Sequence, residues 1–446
     1  MITRALGVVA ATLVVAAGSA AAPSAAPSLH GAAPCPGSTD FTCSTLDVPL
    51  DYSGSTPGTL QLRVASSGSA NAPRGVLLVL TGGPGVASIP IVDRLTTRAF
   101  AAERQAYRIV YLDQRGTGAG ALDCPAMQKQ MGTSDLYPPT AAAVRACAAK
   151  VGANAQFYGT DDVVADIDGL RQALGVDKLT LDGISYGTYV AERYALAHPN
   201  QVAKLVLDSV VPQVGLDDLG VVEFHATARV LRAVCGKGCV ADLAAVVHRL
   251  NDGPTLLDAL TTGSVVDPTF KTNFDVPFIL HAAHSGNMRP LNQFLAAVRS
   301  WDEGPANLLD QGTHAATLCA DWRYPWGDSS APLAGRAEAL KRAVAKLPAS
   351  SVYPFDRATA SGNGFVQQCL PWSPQAPTPL AAGKITAPTL LVNGDRDLSA
   401  PLEWAQQELK LTTQGKLVVV PGAGHSTQAR AVSDAARTAV AQFLLG

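Results

Sequence analysis

Six short, almost wholly apolar runs constrain this chain more than any other feature. They are Gly75-Val-Leu-Leu-Val-Leu80, Tyr107-Arg-Ile-Val-Tyr-Leu112, Lys178-Leu-Thr-Leu-Asp182, Lys204-Leu-Val-Leu-Asp208, Thr389-Leu-Leu-Val392 and Lys416-Leu-Val-Val-Val420. A strand with one wet face alternates polar and apolar residues; an unbroken apolar run of this length suits a strand buried on both faces, as in a parallel sheet. Helical patterns fall between several runs. Asp161 to Leu174 places Val164, Ile167, Leu170 and Leu174 on one face, and Thr188 to Ala197 follows a run directly. Strand-helix alternation of this kind gives an α/β fold, a mostly parallel sheet with helices on both faces.

Two regions depart from that rhythm. Thr45–Asp51 and Leu60–Ala65 alternate apolar and polar residues around a Gly/Ser/Pro turn, the pattern of an antiparallel hairpin. Residues 212–387 show helical segments broken by Gly and Pro and carry four of the eight cysteines. That stretch is too long for a loop. It is expected to be a helical cap, inserted before the last two strands, between core parts 35–211 and 388–446. Residues 23–34, rich in Ala, Pro and Ser, are expected to be an unpatterned linker.

The chain has 446 residues, 47% hydrophobic and 16% charged, which excludes wholesale disorder. Its 34 Lys and Arg against 36 Asp and Glu leave no cationic excess to neutralise phosphates, so nucleic-acid binding is not expected. Arg4, an apolar stretch from Ala5 to Ala17 and small residues through Ala22 form a secretory signal peptide over residues 1–22. As a helix this stretch spans roughly 20 Å, short of a hydrocarbon core of about 30 Å, so no membrane anchor is expected. Export permits disulfides among Cys35, Cys43, Cys124, Cys147, Cys235, Cys239, Cys319 and Cys369. Proximity favours 35–43, 124–147, 235–239 and 319–369, although sequence alone leaves the connectivity open.

The chemistry-bearing residues stand where apolar runs end. Lys178–Asp182 leads into Gly183-x-Ser185-x-Gly187 and then a helix, the arrangement that lifts a serine Oγ clear of a sheet. Glycines on either side are expected to permit strained backbone angles. A nucleophilic serine needs a base, and the base an orienter. His425 in Pro421-Gly-Ala-Gly-His425 and Asp397 in Gly394-Asp-Arg-Asp397 each follow a run, with Asp395 as the rival acid. Leu80-Thr-Gly-Gly-Pro-Gly85 offers oxyanion donors: the amide of Gly83, or Gly82, with that of Tyr186. Arg115 and the glycines of Asp113-Gln-Arg-Gly-Thr-Gly118 are expected to brace that loop. His281 and His284, in a His-x-x-His, are expected to lack carboxylate partners, and neither metal nor cofactor is called for.

The Gly-Gly-Pro-Gly loop, the Asp-Gln-Arg-Gly-x-Gly stretch and the Gly-x-Ser-Tyr-Gly-Thr elbow resemble prolyl iminopeptidases and, more closely, secreted actinobacterial tripeptidyl aminopeptidases. The likeness extends to Cys319-Ala-Asp-Trp322, Cys369-Leu-Pro-Trp372 and the Asp397/His425 tail. Thr81 departs from the iminopeptidases, which carry His before the glycines. The resemblance implies an α/β-hydrolase fold and a secreted serine exopeptidase releasing N-terminal amino acids or short peptides. A secreted carboxylesterase using the same three residues is the alternative. An exopeptidase pairs the substrate's free amine with a carboxylate; Glu223 and Asp321 are the candidates. A peptide or small ester substrate and a monomeric protein complete the expectation.

Overall fold

The six apolar runs form the parallel part of a single nine-stranded sheet. The computed structural model describes residues 26–446 except 69, 216, 218, 263–273, 380, 381 and 431; the signal peptide expected over 1–22 lies outside the described residues. The strands are β1 (Leu29–Pro34), β2 (Thr42–Pro49), β3 (Thr59–Ser67), β4 (Val76–Leu80), β5 (Arg108–Leu112), β6 (Leu179–Ile184), β7 (Val202–Asp208), β8 (Thr389–Gly394) and β9 (Gly415–Val420). Their order is β1-β2-β3-β5-β4-β6-β7-β8-β9. The first three and the β3–β5 pair are antiparallel; from β5 onward every pair is parallel.

Alternation within β4 shows why its sequence is apolar throughout. Val76, Leu78 and Leu80 enter one core with Val163 and Ile167 of the helix Thr160–Ala173, and with Tyr189 of the helix Tyr186–Ala197. Leu77 and Val79 enter the opposite core with Val92 and Leu95 of the helix Val92–Ala99, and with Val440 and Leu444 of the helix Ala435–Leu445. Helices therefore cover both faces, and every residue of β4 is buried.

One expectation is corrected at the N-terminal edge. Residues 23–34 are not a linker throughout, because Leu29–Pro34 pairs with β2, Leu29 opposite Leu46 and Pro34 opposite Thr42. Backbone pairing is joined by Leu29, which packs against the core, and by His30 Nε2, 3.1 Å from Asp47 Oδ2; the other five residues, His30 included, are exposed, so no apolar pattern marks the strand.

Ten helical segments, from Val221–Cys235 to Gly364–Cys369, lie between β7 and β8 among the described residues. Many of them share an apolar cluster of their own, centred on Phe224, Leu243, Leu280 and Phe294. The helices Pro125–Met131 and Ala141–Val151, between β5 and β6, join this layer: Met127 and Val144 pack with Leu318 of the helix Gln311–Asp321. The four disulfides are Cys35–Cys43, Cys124–Cys147, Cys235–Cys239 and Cys319–Cys369. No helix among the described residues is long and apolar enough to cross a membrane.

Candidate active site

β6 delivers Ser185 to the carboxyl rim of the sheet. The strand ends at Ile184, a helix begins at Tyr186, and Ser185 alone makes the corner, with φ 58° and ψ −127°. A non-glycine residue in this region is strained. The glycines either side have a different use from the one expected. Neither has positive φ; a Cβ on Gly183 would strike the carbonyl of Gly187, and one on Gly187 the carbonyl of Leu80. They let strand, corner and helix close on each other, while the strain sits in the serine.

His425 and its loop are latched to the same rim by Asp208, the fully buried last residue of β7. Asp208 Oδ1 accepts Thr427 N–H at 2.9 Å and the Thr427 hydroxyl at 2.7 Å, and Oδ2 accepts Gln428 N–H at 2.9 Å. The carbonyl of Asp208 accepts Ser185 N–H at 2.9 Å, so one residue ties both the serine corner and the histidine loop. His425 Nδ1 stands 2.9 and 3.1 Å from the two carboxylate oxygens of Asp397. Asp397 is fully buried and accepts Ser399 N–H and Ala400 N–H at 2.9 and 2.8 Å. Its rival Asp395 instead accepts Gly422 N–H at 2.7 Å. Burial pulls the His425 pKa down, but the Asp397 charge and hydrogen bond outweigh it and hold the imidazole above its ordinary value.

Ser185 and His425 line one cavity of about 420 Å³, together with Thr81, Gly82 and Gly83. A Cβ on Gly82 would come within 2.9 Å of Ser185 Cβ, so only glycine fits that approach. The amide of Tyr186, in the first turn of its helix, has no intrahelical acceptor. Apolar side chains including Ile91, Leu95, Ile184, Leu308 and Leu309 complete much of the wall.

Several expected roles are corrected. Neither Glu223 nor Asp321 lines this cavity. Asp321 is fully buried and saturated: it accepts Thr160 N–H at 3.0 Å, the Thr378 hydroxyl at 2.6 Å, the Tyr186 hydroxyl at 3.2 Å and the Thr160 hydroxyl. It anchors the inserted helices to the Tyr186 helix. Glu223 lines a separate small cavity with Asp217, Trp322 and Arg323, and burial there, with the nearby Asp217 carboxylate, pushes its pKa well above the ordinary value. Arg115 does not brace the glycine loop. Its guanidinium donates to Asp166 at 2.7 and 2.6 Å and to the Leu50, Phe157 and Pro49 carbonyls, tying a helix to the end of β2. The brace is Asp113, whose Oδ1 accepts Ser88 N–H at 2.6 Å and Ile89 N–H at 3.0 Å. His281 and His284 do have a carboxylate partner: Asp242 stands 3.3 and 2.5 Å from their Nδ1 atoms. Among the described residues no group of three or more His, Cys, Asp or Glu is placed to hold a metal ion.

The sequence reading missed Asp135. It is the carboxylate that lines the Ser185 cavity, on the loop between the helices Pro125–Met131 and Ala141–Val151. Its neighbours hold that loop: Thr133 N–H donates to Asp302 O at 2.7 Å, and Gln311 Nε2 to Ser134 O at 2.9 Å. Asp135 Oδ1 is shielded from solvent and has no hydrogen-bond partner; His314 Nδ1, 3.8 Å away, donates to Pro84 O instead. Burial raises the Asp135 pKa against the pull of His314, His425 and Arg430.

The chain has the α/β-hydrolase fold: a mostly parallel sheet flanked by helices, with a serine at a strand-helix corner and an Asp-paired histidine after the last strand. Residues 75–227 match the family described as alpha/beta hydrolase fold, and residues 353–446 match that described as TAP-like protein. Among relatives, a tripeptidyl aminopeptidase of Streptomyces coelicolor is 30% identical over 188 residues, 38% of this chain and 35% of that protein. The serine protease Hip1 of Mycobacterium tuberculosis is 29% identical over 185 residues, 38% of this chain and 36% of that protein. A proline iminopeptidase of Xylella fastidiosa is 31% identical over 134 residues, 30% of this chain and 32% of that protein. The matched region thus spans about a third of the length of each relative.

Proposed function

We propose that this protein is a secreted serine exopeptidase that releases N-terminal amino acids or short peptides from peptide substrates. One observation carries the reading: the strained Ser185, the Asp397-paired His425, the Gly82–Gly83 loop and the carboxylate of Asp135 all border one cavity. In this reading Ser185 Oγ attacks the scissile carbonyl and gives its proton to His425 Nε2. Asp397 holds Nδ1–H and balances the imidazolium charge. The amides of Gly83 and Tyr186 receive the developing oxyanion, with Gly82 close enough to share the task. His425 then protonates the leaving amine, and water repeats the sequence to free the acyl group. Asp135, not Glu223 or Asp321, would pair with the substrate's free amine. The names of the relatives favour peptides over esters, and the four disulfides favour an oxidising, extracellular setting.

A substrate panel tests this. Purified protein is offered alanyl tripeptide and prolyl p-nitroanilides, their N-acetylated forms and p-nitrophenyl acetate. The expected result is turnover of free-amine anilides and at least tenfold lower kcat/KM after acetylation, the size of a lost charge-assisted contact. Turnover of the ester with none of any free-amine peptide would replace the peptidase by a carboxylesterase.

A further inference from the structure

Three guanidinium-bearing residues line the cavity against the single carboxylate of Asp135: Arg94, Arg98 and Arg430. Arg94 and Arg98 are four residues apart on the helix Val92–Ala99, so they share a face one turn apart. The helix turns Val92, Leu95, Thr96 and Ala99 into the core and leaves both arginines exposed. Neither forms an ion pair among the described residues. Two cations on one wall repel each other unless an anion joins them.

Their place relative to the chemistry follows from the packing. Leu95 and Ile91 share an apolar cluster with Ala429, which sets the arginine helix beside the segment that follows His425. Arg430 N–H donates to Ser426 O at 2.8 Å, so Arg430 stands one turn above the residue after His425. Its charge is close enough to weigh on both His425 and Asp135. The leaving group must lie beside His425, which protonates it. The helix carrying Arg94 and Arg98 therefore stands on the side of the leaving segment, while Asp135 lines the cavity with Thr133, Leu308 and Leu309.

We propose that Arg94 and Arg98 form a carboxylate subsite for the segment beyond the scissile bond, making short peptides with an anionic leaving segment the preferred substrates. This rests on the assignment of Ser185 and His425 above. Guanidinium forks match carboxylates in shape and charge. The carboxylate comes either from the peptide's own C-terminus or from an acidic side chain just past the cleaved bond. A long neutral polypeptide places no charge there.

The test compares Ala-Ala-Ala, Ala-Ala-Ala-amide and Ala-Ala-Asp-amide, with products identified by mass spectrometry, for the wild-type protein and an Arg94→Gln/Arg98→Gln variant. Ala-Ala-Ala-p-nitroanilide, uncharged on its leaving side, reports the underlying hydrolysis, and a melting curve checks that the variant folds. The expected result is a kcat/KM about tenfold higher for the acid than for its amide, a ratio that falls toward one in the variant. A rate for Ala-Ala-Asp-amide near that of the acid assigns the subsite to either source of charge; a rate near that of the plain amide assigns it to the C-terminal carboxylate alone. Equal rates for acid and amide in the wild type, or a ratio that survives both substitutions, overturn the subsite while anilide turnover leaves the serine mechanism standing. Absence of turnover on every substrate overturns the mechanism and the subsite together.

Discussion

The φ of 58° at Ser185 costs about 1–3 kcal/mol, a price the fold bears only because both neighbours are clamped. Asp208 accepts Ser185 N–H through its carbonyl, and its carboxylate fixes Thr427 and Gln428 beyond His425. The placement of Ser185, Asp397 and His425 beyond strand ends is readable from sequence because each follows an apolar run. Asp135 is not readable in this way. It sits in an irregular loop far from the others in the chain, and only the packing of two inserted layers brings it over the cavity. Asp321 misleads for the opposite reason: a carboxylate in the inserted region looks available until Thr160, Thr378 and Tyr186 are seen to occupy it.

The raised His425 pKa fixes the sign of the pH response. A general base must be neutral, and a pKa above the usual 6.5 keeps the imidazole protonated to higher pH. kcat/KM should therefore rise with pH along a limb centred above 6.5. Asp397→Asn removes the charge that lifts the pKa and the acceptor that fixes the tautomer. It should lower kcat by about 10⁴-fold and move what remains of the limb downward. A limb centred below 6.5 in the wild-type protein, or one unmoved by Asp397→Asn, would contradict this pairing.

At the scale of elements, close approach is what the glycines secure. The helix Tyr186–Ala197 meets β4 at Gly187, where any Cβ would run into the Leu80 carbonyl. Backbone cannot step aside as a side-chain tip can. Gly187→Ala should destabilise the protein by about 1–3 kcal/mol, read from denaturant unfolding. A control Gly238→Ala, in the helix Lys237–Leu250 with nothing within 4 Å and no positive φ, should leave stability unchanged or raise it by up to about 1 kcal/mol. Equal losses in the two variants would show that clearance at Gly187 is not the constraint. Strands buried on both faces, such as β4 and β6, announce themselves as apolar runs. β1 does not, because as an edge strand it exposes five of its six residues. The same distinction explains the exchange between Arg115 and Asp113. Both are buried, and sequence cannot say whether a loop is held by a guanidinium seeking carbonyls or by a carboxylate seeking amides.

Across the whole molecule, the sheet carries Ser185, Asp397 and His425, the proposed reacting groups, and the inserted layers contribute Thr133, Asp135, Leu308 and Leu309 to the cavity Ser185 and His425 line. Cys319–Cys369 joins two inserted helices across 50 residues, and Cys124–Cys147 ties the helices that flank the Asp135 loop across 23. Loop closures of these lengths each stabilise by about 2–4 kcal/mol through the unfolded chain. Reduction under mild denaturant should lower Tm by several degrees; an unchanged Tm with free thiols measured would contradict their contribution. The alternation of strand and helix shows that an inserted layer must exist. Which loops assemble it is decided by tertiary packing, as the joining of Pro125–Met131 to Gln311–Asp321 illustrates.

The most direct measurement is the covalent capture of the nucleophile. The protein is treated with a fluorophosphonate, which phosphonylates an activated serine, and the adduct is mapped by peptide mass spectrometry. The account predicts one adduct per chain, on Ser185, absent in Ser185→Ala and slowed at least a hundredfold in His425→Ala. Stoichiometric labelling at another residue, or peptide hydrolysis by a folded Ser185→Ala protein, would contradict it.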